Sequence, residues 1–128
     1  MGVETDGRCL ECGATFTIRD GGGFFFHLVR CEACGETKSI GFDELGPLHA
    51  AYVKGLRGPY STVSMAQDRY IQEQVDIEPL SEEDYHRAVE IFAGECACGG
   101  KFSLTAPFRC PACRSTHVEP GETTMFYD

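Results

Sequence analysis

Eight cysteines, set in four close pairs, constrain this 128-residue chain more than any other feature. The pairs are Cys9-x2-Cys12, Cys31-x2-Cys34, Cys96-x-Cys98 and Cys110-x2-Cys113. The stretch from Met1 to Gly7 carries Glu4 and Asp6 and lacks a basic start and an apolar middle. No signal peptide is read there, and the expected location is cytoplasmic. A reducing compartment keeps thiols free, which points these cysteines to metal rather than to disulfides. Two cysteines on one tight turn supply two thiolates, and a second such turn completes a tetrahedral four-sulfur site. Taken in chain order, the pairs give one quartet of Cys9, Cys12, Cys31 and Cys34, and another of Cys96, Cys98, Cys110 and Cys113. The first has the spacing of a structural zinc site; the second has a CxC turn and a shorter span. Two zinc ions per chain are expected.

The chain also aligns with itself. Cys12-Gly13-Ala14-Thr15-Phe16-Thr17-Ile18 matches Cys98-Gly99-Gly100-Lys101-Phe102-Ser103-Leu104, and Arg30-Cys31-Glu32-Ala33-Cys34 matches Arg109-Cys110-Pro111-Ala112-Cys113. One module therefore occurs twice. Gly13 and Gly99 suit a turn position with positive φ, and Phe16 and Phe102 stand where an aromatic can roof a small site. On these residues the chain resembles the zinc-ribbon superfamily twice, from residue 8 to about 38 and from 95 to about 118. The resemblance implies two metal-bearing turns joined by antiparallel strands, with zinc in a structural role. Cys96-x-Cys98 departs from the common CxxC turn. Four thiolates close the coordination shell and leave no open position for substrate, which argues against catalysis at the metal. Iron stands as the alternative, because Cys110-Pro111-Ala112-Cys113 also resembles a rubredoxin turn and four thiolates suit either metal. His117, four residues past Cys113, is a spare ligand candidate.

Between the modules no cysteine occurs, and the pattern turns helical. Pro47 opens a first helix with Leu48, Ala51 and Tyr52 on one face, and Gly55 ends it. Ser64 starts a second, with Gln67 in the capping-box position. Ser81 caps a third over Glu82, Glu83 and Asp84, whose buried stripe is read as Tyr85, Ala88, Val89 and Phe92, closed by Gly94. Phe24 to Val29 reads as a strand, either covered on both faces or presenting an exposed aromatic patch. Thr123 to Tyr127 is β-prone and is expected to add a strand to the second module or to insert into another chain. The fold class is α+β: two small β zinc-ribbon modules, residues 1–42 and 95–128, bracketing a helical insert, 43–94.

Charge narrows the partners. The net charge of −9 opposes a general nucleic-acid coat or an anionic membrane, and no apolar run is long enough to span one. The basic set without acids is Lys101, Arg109 and Arg114 in the second module, the only footing for nucleic acid. No GxSxG, HExxH or paired-carboxylate arrangement is present, and His27, His49, His86 and His117 read as surface or packing residues. The expected function is a small non-catalytic adaptor or accessory protein that recognises another protein through Phe24 to Phe26 and the C-terminal aromatic segment. Nucleic-acid binding through the second module is the alternative, and an enzyme ranks below both.

Overall fold

Each N-terminal cysteine pair sits in the turn of a β-hairpin in the computed structural model, which describes residues 2–128. The first hairpin is β1 (Gly2–Cys9) and β2 (Thr15–Asp20), closed around Cys9 and Cys12; the second is β3 (Phe26–Cys31) and β4 (Thr37–Gly41), closed around Cys31 and Cys34. Four helices follow: α1 (Phe42–Leu45), α2 (Pro47–Lys54), α3 (Met65–Gln74) and α4 (Glu82–Ala93). The chain then returns to strand as β5 (Phe102–Ser103) and β6 (Val118–Tyr127). The class is α+β, with strands at both ends and helices between. Both C-terminal strands travel back to the N-terminal hairpins: β6 pairs antiparallel with β1, and β5 with β3. Two sheets result, ordered β2-β1-β6 and β4-β3-β5.

The tail thus forms the expected strand but joins the first hairpin, not the second module. Likewise β3 begins at Phe26, two residues later than the hydrophobic run suggests. Phe24 and Phe25 lie before it, and Phe25 is 58% exposed.

Pro47 opens α2, as its fixed φ and missing N–H favour. In α4 the Ser81 hydroxyl accepts the Asp84 N–H at 3.2 Å, and Gly94 ends the helix at φ +74°. The buried stripe is Tyr85, Val89 and Ala93, whereas Phe92 is 47% exposed. Phe92 lies about 100° round the helix from Ala93, off the single ridge that faces the sheet. Ser64 precedes α3 without capping it; its hydroxyl donates to the buried Asp68 carboxylate at 2.6 Å instead, and that carboxylate also accepts the Tyr60 N–H. Such satisfaction is what lets a carboxylate be buried.

The hydrophobic core belongs to one sheet. Val29, Ile40, Leu45, Tyr85, Val89, Ala93 and Phe102 pack with Cys31 and Cys96 between β4-β3-β5, α1 and α4. The other sheet buries only Cys9 and Ile18 among its larger apolar side chains, and β6 is exposed from Glu119 to Phe126. A sheet with so little core needs another source of stability.

Candidate metal centres

Four turns of one design present the eight sulfurs. In three of them the leading cysteine's N–H donates to the carbonyl five residues on: Cys9 to Ala14, Cys31 to Glu36 and Cys110 to Ser115, at 2.8–2.9 Å. Its carbonyl then accepts the N–H of the residue after the second cysteine, from Gly13, Gly35 and Arg114. The shorter CxC turn repeats the pattern one residue tighter, with Cys96 N–H to Gly100 and Gly99 N–H to Cys96. This closure requires a left-handed residue directly after the pair. Gly13, Gly99 and also Gly35 and Arg114 supply it, at φ +77°, +91°, +80° and +65°. Gly100 has a separate reason: a Cβ there would come within 2.7 Å of Cys31 Sγ.

The turns do not combine in chain order. Cys9 and Cys12 meet Cys110 and Cys113, and Cys31 and Cys34 meet Cys96 and Cys98. The expected quartets, Cys9/Cys12/Cys31/Cys34 and Cys96/Cys98/Cys110/Cys113, are therefore corrected to an exchanged pair. Each group still contains one turn of each kind from the repeated module, but the two come from different copies. The cause is strand pairing: β6 emerges from the Cys110 turn and docks on β1, while β5 emerges from the Cys96 turn and docks on β3. Matching hydrogen bonds seal both joints, Leu10 N–H to His117 O at 2.8 Å and Glu32 N–H to Lys101 O at 2.9 Å. Arg109 then ties the two centres together, donating from Nε to Glu32 O and from Nη1 to Arg114 O.

Within each group the ligand atoms all lie within 4.8 Å of one another. Cys9 and Cys113 sulfurs are 3.5 Å apart, Cys12 and Cys110 3.6 Å, Cys31 and Cys98 3.5 Å, and Cys34 and Cys96 3.7 Å. None of the eight is joined in a disulfide, and these separations far exceed the ~2.05 Å of such a bond. They approach the edge of about 3.8 Å that a tetrahedron with 2.3 Å zinc–sulfur bonds requires. The residues present fit a metal ion in each group.

The thiols are also electrostatically primed. The Cys12 N–H pointing at Cys9 Sγ pulls that thiol down to about 6. Burial pushes Cys31 up, but the N–H groups of Cys34 and Ala33 outweigh it and bring the thiol to about 7. Across the clusters Cys96 and Cys113 rise to about 12. The backbone at Cys98 and Ser115 pulls them down, and crowding by neighbouring thiols and burial outweigh it. Four sulfurs this close cannot all ionise without a cation among them.

The histidines stand apart. His117 joins neither sulfur group and pairs with Glu11 at 2.7 Å. His27 and His49 pack against the core, where Tyr85 OH lies 2.7 Å from His27 Nε2 and 3.0 Å from His49 Nδ1. Desolvation and the neighbouring His49 and His86 push His27 down to about 4, so it is neutral at physiological pH. This polar bridge inside the core is invisible in the sequence, because its members come from β3, α2 and α4.

Fold and clusters together define an α+β chain built round two four-cysteine groups able to hold metal. Residues 5–119 match the model of DUF8255, a domain of unknown function, and the chain belongs to that family. No curated protein and no solved structure matches it. Among the described residues no helix is long and apolar enough to cross a membrane.

Proposed function

We propose that the chain is a zinc-ribbon protein with two structural zinc ions, one on Cys9, Cys12, Cys110 and Cys113 and one on Cys31, Cys34, Cys96 and Cys98. It acts as a non-catalytic adaptor that recognises another protein. The observation that carries this reading is the closure of both groups by four sulfurs that pin the C-terminal strands to the N-terminal hairpins. A closed four-thiolate shell holds a fold together and leaves no position for substrate. Phe25, Met125 and Phe126, exposed by 58%, 48% and 64%, supply apolar surface for a protein partner. Nucleic acid is the weaker reading, since the chain carries −9 overall and the basic set of the second module is confined to Lys101, Arg109 and Arg114.

Purified protein is expected to contain two zinc ions per chain by plasma mass spectrometry, with all eight thiols protected from a native thiol titration. One zinc, or a red iron protein, overturns the metal assignment. Metal and protons compete for the thiols, so the metal-bound fold holds fewer protons than the unfolded chain. Stability is then greatest above the unfolded thiol range and is lost as pH falls. Apparent zinc affinity in a chelator competition should drop at least about ten-fold per pH unit between roughly pH 7.5 and 5.5, the slope of one proton released per metal. The adaptor reading is tested by partner capture: Phe25→Ser should lose the partner while retaining both zincs.

A further inference from the structure

A cleft of about 660 Å³ opens between the two sheets, walled by Phe16, Thr17 and Arg19 of β2 on one side and Arg30, Phe108 and Arg109 on the other. Its size falls within the roughly 300–1,000 Å³ of ligand clefts. Both metal centres shape it, since Cys34-Gly35-Glu36 and Arg109 with Pro111 line its rim.

Two features of the cleft point to one occupant. The first is charge. Arg19 is paired with Glu4, and Glu36 adds one carboxylate at the rim against Arg30 and Arg109, so the lining keeps a net charge of +1. Arg30 reaches the carbonyls of Arg19 and Ala106 and stacks on Phe108, while Arg109 reaches those of Glu32 and Arg114. Carbonyls satisfy N–H donors without neutralising charge. Among the described residues neither Arg30 nor Arg109 forms an ion pair, within a chain that is otherwise strongly acidic.

The second is a free strand edge. β2 is an outer strand, paired with β1 over six successive residues without a bulge. Backbone groups alternate sides along such a strand. Arg30 takes the Arg19 carbonyl from the cleft side, so Arg19 turns its backbone outward, and Thr17 and Thr15 do the same. Both threonines are exposed. The opposite edge of the sheet, β6, is guarded by Pro120 and two register shifts, but β2 has neither device.

We propose that this cleft binds an acidic, extended segment of a partner protein, which adds as a strand to β2 at Thr15–Thr17 and sets its carboxylates against Arg30 and Arg109. The inference rests on the adaptor reading and names the partner's chemistry and its mode of docking.

The test uses the zinc-loaded full chain and three blocked hexapeptides: alternating glutamate and valine, alternating lysine and valine, and the glutamate form N-methylated at every second residue. The glutamate peptide should slow amide exchange at Thr15 and Thr17; the other two should not. Arg109→Gln should weaken binding about ten-fold, as loss of one charge-assisted contact implies. Should that variant loosen the fold, Thr17→Pro serves in its place, because proline is tolerated where an edge N–H faces solvent. Exchange at Thr15 and Thr17 unchanged by millimolar glutamate peptide overturns the proposal, as does tighter binding of a short oligouridylate to the same cleft. A captured protein partner that is lost on Phe25→Ser but undisturbed by the glutamate peptide overturns it too, while leaving the adaptor reading in place.

Discussion

Cys9→Ser should free β6 at the far end of the chain while the hydrophobic core stays folded. Cys9 shares its sulfur cluster with Cys110 and Cys113, and the sheet around it buries little apolar surface. Structural zinc contributes about 10–16 kcal/mol of apparent binding energy, comparable to the whole stability of a domain of this size. Loss of one ligand should therefore cost several kcal/mol and fall on the sheet that has no other support. Hydrogen exchange in Cys9→Ser should accelerate in β1, β2, residues 110–117 and β6, with Val29, Val89 and their neighbours still protected. Cys31→Ser should do the reverse and worse. Its cluster borders the core, so β3, β5 and α4 should loosen together. If Cys9→Ser instead loosens residues 31–34 and spares β6, the exchanged arrangement is wrong.

Tyr85→Ala should be the most damaging change away from sulfur. The ring is fully buried, stacks on Tyr52 at 4.2 Å and carries the hydroxyl that joins His27 to His49. Removing a buried aromatic costs about 3–5 kcal/mol, and two imidazoles would lose their shared partner. Tyr85→Phe keeps the packing and should cost about 1–3 kcal/mol, the penalty for buried polar atoms left unpaired. Urea unfolding of the zinc-loaded protein measures both, with an unchanged slope as the sign that the fold persists. A loss below about 1 kcal/mol for Tyr85→Ala would remove the bridge from its central place.

Much of the local structure was legible. Cysteine spacing marked all four turns, Gly13 and Gly99 the left-handed positions of two of them, and Ser81 with Gly94 the ends of α4, whereas the left-handed Gly35 and Arg114 went unread. Pairing between the turns was not. Self-alignment identifies two kinds of turn, and a group of one from each kind is equally consistent within a copy or across copies. The choice is made by β5 and β6. The first has only two residues, and the second carries Pro120 and Gly121, so neither advertises its partner. Short sequence separation favoured the chain-order quartets, and strand docking overrode it. The His27–Tyr85–His49 bridge was hidden for the same reason, since long-range packing and not periodicity brings it together.

Cadmium substitution gives the sharpest test of the exchanged clusters. An NMR-active cadmium isotope replaces zinc on thiolates, and its coupling to cysteine β-protons names every ligand of each ion. Two cadmium resonances are expected, one correlating with Cys9, Cys12, Cys110 and Cys113 and the other with Cys31, Cys34, Cys96 and Cys98. A resonance that joins Cys9 and Cys12 to Cys31 and Cys34 would restore the chain-order pairing and refute the architecture described.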